Sequence, residues 1–150
     1  MTRAIYFDMD GTIANLYGVE NWLDYLLNEK TKPYREAKPL VDMRALGREL
    51  NRLVRCGYKI GVVSWLCKGG QADYNERVTK TKIEWLRKHI GAVEWNEIHI
   101  VEYGTPKQKV VDFPDGILFD DEIGNRKNWA LGNGLAFDVD NIIEILKGMK

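Results

Sequence analysis

The sequence lacks most features that mark secreted, membrane-spanning or nucleic-acid-coating proteins. Its 150 residues include only two cysteines, Cys56 and Cys67, too few for a disulfide framework and not spaced as metal ligands. Cys56 is expected as a small core residue near a helix end, and Cys67 at a more exposed position after a strand. The only histidines, His89 and His99, read as a helix-end and a strand residue, so no His/Cys cluster is available for zinc. No apolar run is long enough to cross a bilayer. The opening Met-Thr-Arg-Ala leads straight into a strand without a leader-like segment, and a reducing cytoplasm is the expected setting. Neither charge is in excess. Lys and Arg total 22 against 22 for Asp and Glu, which argues against membrane-surface binding and against strong binding to nucleic acid. No repeat or low-complexity tract appears. What remains is a chain of one-domain size, 45% hydrophobic, and large enough to bury a substantial core.

Residues 4–12, Ala-Ile-Tyr-Phe-Asp-Met-Asp-Gly-Thr, organise the reading. An apolar run of four stops at Asp8, and Asp10, Gly11 and Thr12 follow. This reads as a buried strand meeting its loop, with period 2 turning Asp8 and Asp10 to one side. The plainer reading makes Asp10-Gly11 a hairpin turn. Downstream, Val19 to Asn28 carries Trp22, Leu23, Leu26 and Leu27 at helical spacing, and the charged stretch from Glu29 to Pro39, with Pro33 and Pro39, reads as a loop. Together they form an insertion at about 15–39. Leu40 to Cys56 is a helix with Met43, Leu46, Leu50, Leu53 and Val54 on one face and Asp42 as N-cap. Further strands are expected over Tyr58 to Ser64, Ile98 to Val101, Gly116 to Phe119 and Leu135 to Phe137. Helices are expected over about Tyr74 to His89, over Asn125 to Gly132, and from Asn141, with Glu144 completing a capping-box-like start. Thr105 as N-cap and Pro106 at the first position should open a short helix.

Strands alternating with helices predict an α/β fold with a parallel sheet covered on both faces. Ligands of such sheets lie at the carboxyl ends of the strands. Four segments deliver polar groups there: Asp8 and Asp10 after the first strand, Ser64 after the second, Lys107 beyond the third, and Asp120 with Asp121 after the fourth. Carboxylates packed ~4 Å apart repel by roughly 4 kcal/mol per pair at an effective dielectric of 20. A hard divalent cation relieves that, and Mg2+ prefers such oxygens and commonly bridges to phosphate. Hydroxyls and a lysine nearby suit a phosphoryl group, a carboxylate can serve as nucleophile, and a second acid can protonate the leaving oxygen.

The ordered set Asp8-Met9-Asp10-Gly11-Thr12, Ser64, Lys107 and Asp120-Asp121 resembles the four motifs of the haloacid dehalogenase (HAD) superfamily, in its phosphatase branch, and covers residues 4 to about 138. The resemblance implies a HAD-like Rossmannoid three-layer sandwich, with a five-stranded parallel sheet of order 5-4-1-2-3 and a minimal helical cap. It implies Asp8 as nucleophile and Mg2+ ligand, and Asp10 as general acid/base with its backbone carbonyl on the metal. Ser64 and Lys107 would hold the phosphoryl group, with Lys109 as the competitor for Lys107. Asp120 would bind the metal, with Asp121 as a second or outer ligand. Two departures stand out: the insertion is short, leaving the site open, and Ser64 is followed by Trp65.

The expected activity is Mg2+-dependent hydrolysis of a small phosphate monoester through an aspartyl-phosphate, with a nucleotide as first choice of substrate. The alternatives are phosphate on a nucleic-acid end or a protein, or a non-catalytic binding module. Gly11, Thr12, Trp65 and Lys68 are the expected substrate contacts. Trp22, Trp65, Tyr17 and Tyr103 can stack on a base or simply fill core. Lys80, Lys82 and Arg87 read as a solvated helix face. Glu122 and Asn125 either orient metal-bound water or cap the next helix.

Overall fold

A computed structural model describes residues 2–150. The described residues form seven strands and six α-helices: β1 Ala4–Phe7, β2 Ala14–Asn15, α1 Trp22–Leu27, α2 Lys32–Glu36, β3 Lys38–Pro39, α3 Met43–Arg55, β4 Lys59–Trp65, α4 Ala72–His89, β5 Glu97–Val101, β6 Ile117–Phe119, α5 Ile123–Leu131, β7 Leu135–Phe137 and α6 Ile142–Lys147. Five strands form one sheet in the order β5-β4-β1-β6-β7, and every pairing is parallel. This is the expected order, with the first strand in the middle.

Strand β1 is apolar on both faces because both are covered. Ile5 and Phe7 face a core shared with Leu46, Leu50 and Leu53 of α3, Trp85 and Leu86 of α4, and Leu146 of α6. Ala4 and Tyr6 point the other way, to Val63, Leu118 and Trp129 of α5. Helices on both faces of the sheet give the three expected layers. Asp42 caps α3 as predicted, its carboxylate accepting the Ala45 N–H at 3.1 Å.

Several local expectations are corrected. The stretch from Glu29 to Pro39 is not all loop: Pro33 lies in the first turn of α2, where a missing N–H costs nothing, and β3 pairs antiparallel with β2. Asn141 makes no side-chain cap to α6. Only a 3-10 turn, Lys107–Lys109, follows Pro106, and the Thr105 hydroxyl donates back to the Glu102 carbonyl at 2.7 Å instead of capping it. Cys56 is exposed, because it sits at the C-cap of α3, beyond the buried stripe.

The insertion is anchored by its own small core, in which Leu16 and Tyr34 meet Leu66, Tyr74 and Val78. Two polar ties add to this: Tyr74 Oη donates to the Lys30 carbonyl at 2.9 Å, and the Gln71 N–H donates to Glu29 Oε2 at 3.0 Å. The insertion therefore rests on the start of α4, beside the carboxyl edge of the sheet. No helix among the described residues is long and apolar enough to cross a membrane.

Candidate active site

Hydrogen bonding carries the sheet one residue past the strands and fixes two aspartates at its edge. The Asp8 N–H donates to the Phe119 carbonyl at 3.0 Å, and the Asp120 N–H to the Phe137 carbonyl at 3.1 Å. After Asp8 the chain folds into a tight loop, with the N–H groups of Thr12, Ile13 and Ala14 all donating to the Met9 carbonyl. The loop leads away from the main sheet, so Asp10-Gly11 is not a hairpin between its strands. Gly11 has φ +81°, and a Cβ there would collide with Asp121 Oδ2. Glycine thus serves twice, for the left-handed turn and for the close approach of the two acidic loops. Thr12 joins those loops from beneath. Its Oγ1 lies 3.0 Å from Asp8 Oδ2 and 3.3 Å from Asp121 Oδ1, and accepts the Asp121 N–H at 3.2 Å.

The site has two halves, each built on a buried lysine. In the first, Lys107 Nζ lies 2.8 Å from Asp8 Oδ1 and 2.7 Å from Asp120 Oδ2. Burial alone would lower the Lys107 pKa, but the charges of Asp8 and Asp120 outweigh it and hold the pKa above the usual lysine value. Asp120 is further held by Asn125 Nδ2 at 3.1 Å and by the Glu122 N–H at 2.9 Å. One carboxylate oxygen from each of Asp8, Asp120 and Asp121 falls within 4.8 Å of the others. Asp121 has no cationic partner among the described residues. Burial, then the charge of Asp8, raises the Asp120 pKa to about 6. Burial, then the hydrogen bond and charge of Asp8, raises that of Asp121 to about 7. Fully ionised, three carboxylates against one ammonium leave two negative charges. An all-oxygen donor set with that deficit fits a hard divalent cation such as Mg2+.

In the second half, Lys82 Nζ lies 2.8 Å from Asp10 Oδ2, 2.9 Å from Ser64 Oγ and 2.8 Å from the Trp65 carbonyl. The Tyr34 ring lies 5.0 Å from the same nitrogen. Lys82 is 1% exposed, which corrects its assignment to a solvated helix face. The signal was present in the sequence, because Lys82 is four residues from both Val78 and Leu86, on their inward stripe. Burial raises the Asp10 pKa, against the opposing charge of Lys82. The Asp10 carboxylate is thus drawn toward Lys82 and not into the acidic trio.

A cleft of about 440 Å³ opens over both halves, within the usual range for small-molecule sites. Asp8, Asp10, Lys107, Asp120 and Asp121 line its polar end, and Trp65 and Lys68 its flank. Gly11, Thr12 and Ser64 do not line the cleft, and Thr12 and Ser64 are buried. Ser64 has no exposed surface and its hydroxyl accepts from Lys82, so a group in the cleft meets Lys107 before Ser64. Lys109 is exposed and does not line the cleft. The opposite wall comes from the insertion, with Tyr17, Trp22, Leu23 and Leu27. Tyr17 and Tyr103 are each 52% exposed, so these two rings are not core. Trp65 is pinned by its indole N–H, which donates to the Thr105 carbonyl at 2.8 Å, and lies against Tyr103 with ring centroids 4.9 Å apart.

The sheet order, the central position of β1 and the acids at its carboxyl edge define a HAD-like Rossmannoid fold. Among solved structures, the chain is similar to the D,D-heptose 1,7-bisphosphate phosphatase from Burkholderia thailandensis, with a TM-score of 0.61, 13% sequence identity, and coverage of 97% of this chain and 97% of that one. No protein-family model matches the sequence, and neither does any curated protein.

Proposed function

We propose that this protein is a phosphohydrolase that cleaves small phosphate monoesters with Mg2+ bound by Asp8, Asp120 and Asp121. The observation that carries this reading is the meeting of those three carboxylates, from two distant loops, with Lys107 paired to Asp8 and Asp120 at the carboxyl edge of the sheet. The fold shared with a bisphosphate phosphatase supports it. Bound there, Mg2+ would neutralise the remaining charge and polarise the phosphoryl group.

Asp8 is the nucleophile. Its carboxylate attacks phosphorus, an acyl-phosphate bond forms, and the P–O bond to the alcohol breaks. Asp10 gives its proton to the departing oxygen. Water then attacks the acyl-phosphate and returns a proton to Asp10. Inorganic phosphate leaves and the Asp8 carboxylate is restored. Lys107 stabilises the charge spread over the phosphoryl oxygens, while Asn125 and Thr12 hold Asp120 and Asp8 in place.

The insertion acts as a minimal cap. Its aromatic and leucine wall suits a leaving group with a flat apolar face, and a mononucleotide is the preferred substrate. A phosphate on a long nucleic acid is less well served, because the balanced charge provides no basic track for a polymer backbone. The test is release of inorganic phosphate from p-nitrophenyl phosphate and from a panel of mononucleotides, with Mg2+ and with chelator. Mg2+-dependent release that is lost in Asp8→Asn is expected. Activity unchanged in Asp8→Asn, or equal with chelator, would overturn the reading.

A further inference from the structure

Lys82 is a buried cation that the reaction just described does not use. An ammonium has three protons to donate, and here all three are engaged: with the Asp10 carboxylate, the Ser64 hydroxyl and the Trp65 carbonyl, at 2.8, 2.9 and 2.8 Å. It therefore has no proton free for a phosphoryl oxygen, and it is not among the residues lining the cleft. Burying an ammonium is costly unless it is paired and fully hydrogen-bonded. Here both conditions hold, and α4 is held in register by the insertion at its start and by Trp85 and Leu86 in the main core. A rigid helix thus delivers a fixed charge to one oxygen of Asp10. The other oxygen, Oδ1, has no hydrogen-bond partner among the described residues, although Asp10 lines the cleft. One carboxylate oxygen is clamped and the other is left without a protein partner among the described residues, in a residue that lines the cleft.

We propose that Lys82 is a positioning residue that clamps Asp10, with Ser64 and the Trp65 carbonyl as its other two anchors, so that the free oxygen of Asp10 meets the leaving-group oxygen of the phosphate ester. Ser64 then contributes to the reaction by completing the Lys82 cradle, its hydroxyl oxygen accepting from the ammonium. This rests on the phosphohydrolase reading, and it makes a separate prediction about which esters suffer when Lys82 is changed. A poor leaving group, such as the alkoxide of an alkyl phosphate, needs a proton as the P–O bond breaks. The p-nitrophenolate ion leaves without one.

The experiment measures kcat/KM for an alkyl phosphate and for p-nitrophenyl phosphate in the wild type, Lys82→Met, Asp10→Asn and the double variant. The ratio of the two constants is unaffected by the fraction of enzyme folded or by any uniform loss of phosphate binding. In Lys82→Met the alkyl-to-nitrophenyl ratio should fall at least about a hundredfold. In the Asp10→Asn background, adding Lys82→Met should leave the ratio unchanged, since the group being positioned is already gone. The double variant also carries no unpaired buried ion, so it reports even where Lys82→Met alone does not fold. An equal loss on both esters in Lys82→Met, or a further fall in the ratio on adding Lys82→Met to Asp10→Asn, would overturn the role given to Lys82. A wild type inactive on both esters would instead refute the phosphohydrolase reading itself.

Discussion

The two halves of the site use the same device to different ends. Lys107 sits between two carboxylates that both reach the cleft, and a third acid beside them is left without a cation. Lys82 sits between one carboxylate and two neutral oxygens, behind the cleft lining, and leaves nothing unbalanced. The first half carries an uncompensated charge and is suited to binding a cation and a phosphoryl group. The second is electrically complete and suited to holding one acid still. The comparison suggests that a buried lysine is read by what its partners leave unsatisfied rather than by its burial.

The strongest test of this contrast is Asp8→Asn, which should remove turnover to the detection limit while far-UV circular dichroism and the melting transition show a folded protein. Next, Lys107→Ala should lower kcat about a hundred- to a thousandfold, as expected for loss of a preorganised charge at the transition state. Lys109→Ala, at an exposed position, should leave kcat near wild type, and the reverse order would move the phosphate-binding role to Lys109.

The unbalanced half should also show itself in stability. Asp120 and Asp121 have pKa values raised to about 6 and about 7 in the folded protein, above their unfolded values. The folded state therefore binds more protons than the unfolded state through that window, and stability falls as pH rises. With chelator present, the melting midpoint should drop between about pH 5 and about pH 8. Mg2+ at the upper pH should restore it, because the ion binds the folded state. Asp121→Asn should flatten both responses. A midpoint that rises across this window without metal would contradict the charge balance drawn here.

The smallest effect is expected at the two exposed rings of the cleft, Tyr17 on the insertion and Tyr103 beside Trp65. Tyr17→Ala and Tyr103→Ala should each raise KM for a mononucleotide about three- to tenfold, with kcat little changed, in keeping with ~1 kcal/mol for an aromatic contact. An equal rise for an alkyl phosphate would show that these rings do not sense the leaving group.

The halves also differ in how far the sequence exposed them. The strands and the acidic edge were readable because each element was a short apolar run ending in a polar residue, and a parallel sheet brings such ends together; the strand order came from the family resemblance, since periodicity does not carry it. Asp8, Asp120 and Lys107 followed from that geometry. Lys82 did not, because its partners Asp10 and Ser64 lie 72 and 18 residues away and its neighbours Lys80, Glu84 and Arg87 suggest a solvated surface. Only its register with Val78 and Leu86 gave it away. The short helix α2 was hidden by Pro33, which breaks a helix interior but is tolerated in a first turn. Ser64 was placed correctly at a strand end, yet its burial under Lys82 depends on the packing of α4, which no local pattern records.

The central claim is that Asp8 takes the phosphoryl group, and trapping that intermediate tests it most directly. Enzyme turning over p-nitrophenyl phosphate with Mg2+ is quenched with borohydride, which reduces an acyl-phosphate to an alcohol, and the peptide containing residues 4–12 is read by mass spectrometry. The account predicts homoserine at position 8, and none in enzyme incubated without substrate. Reduction at another residue, or full turnover with position 8 never modified, would contradict it.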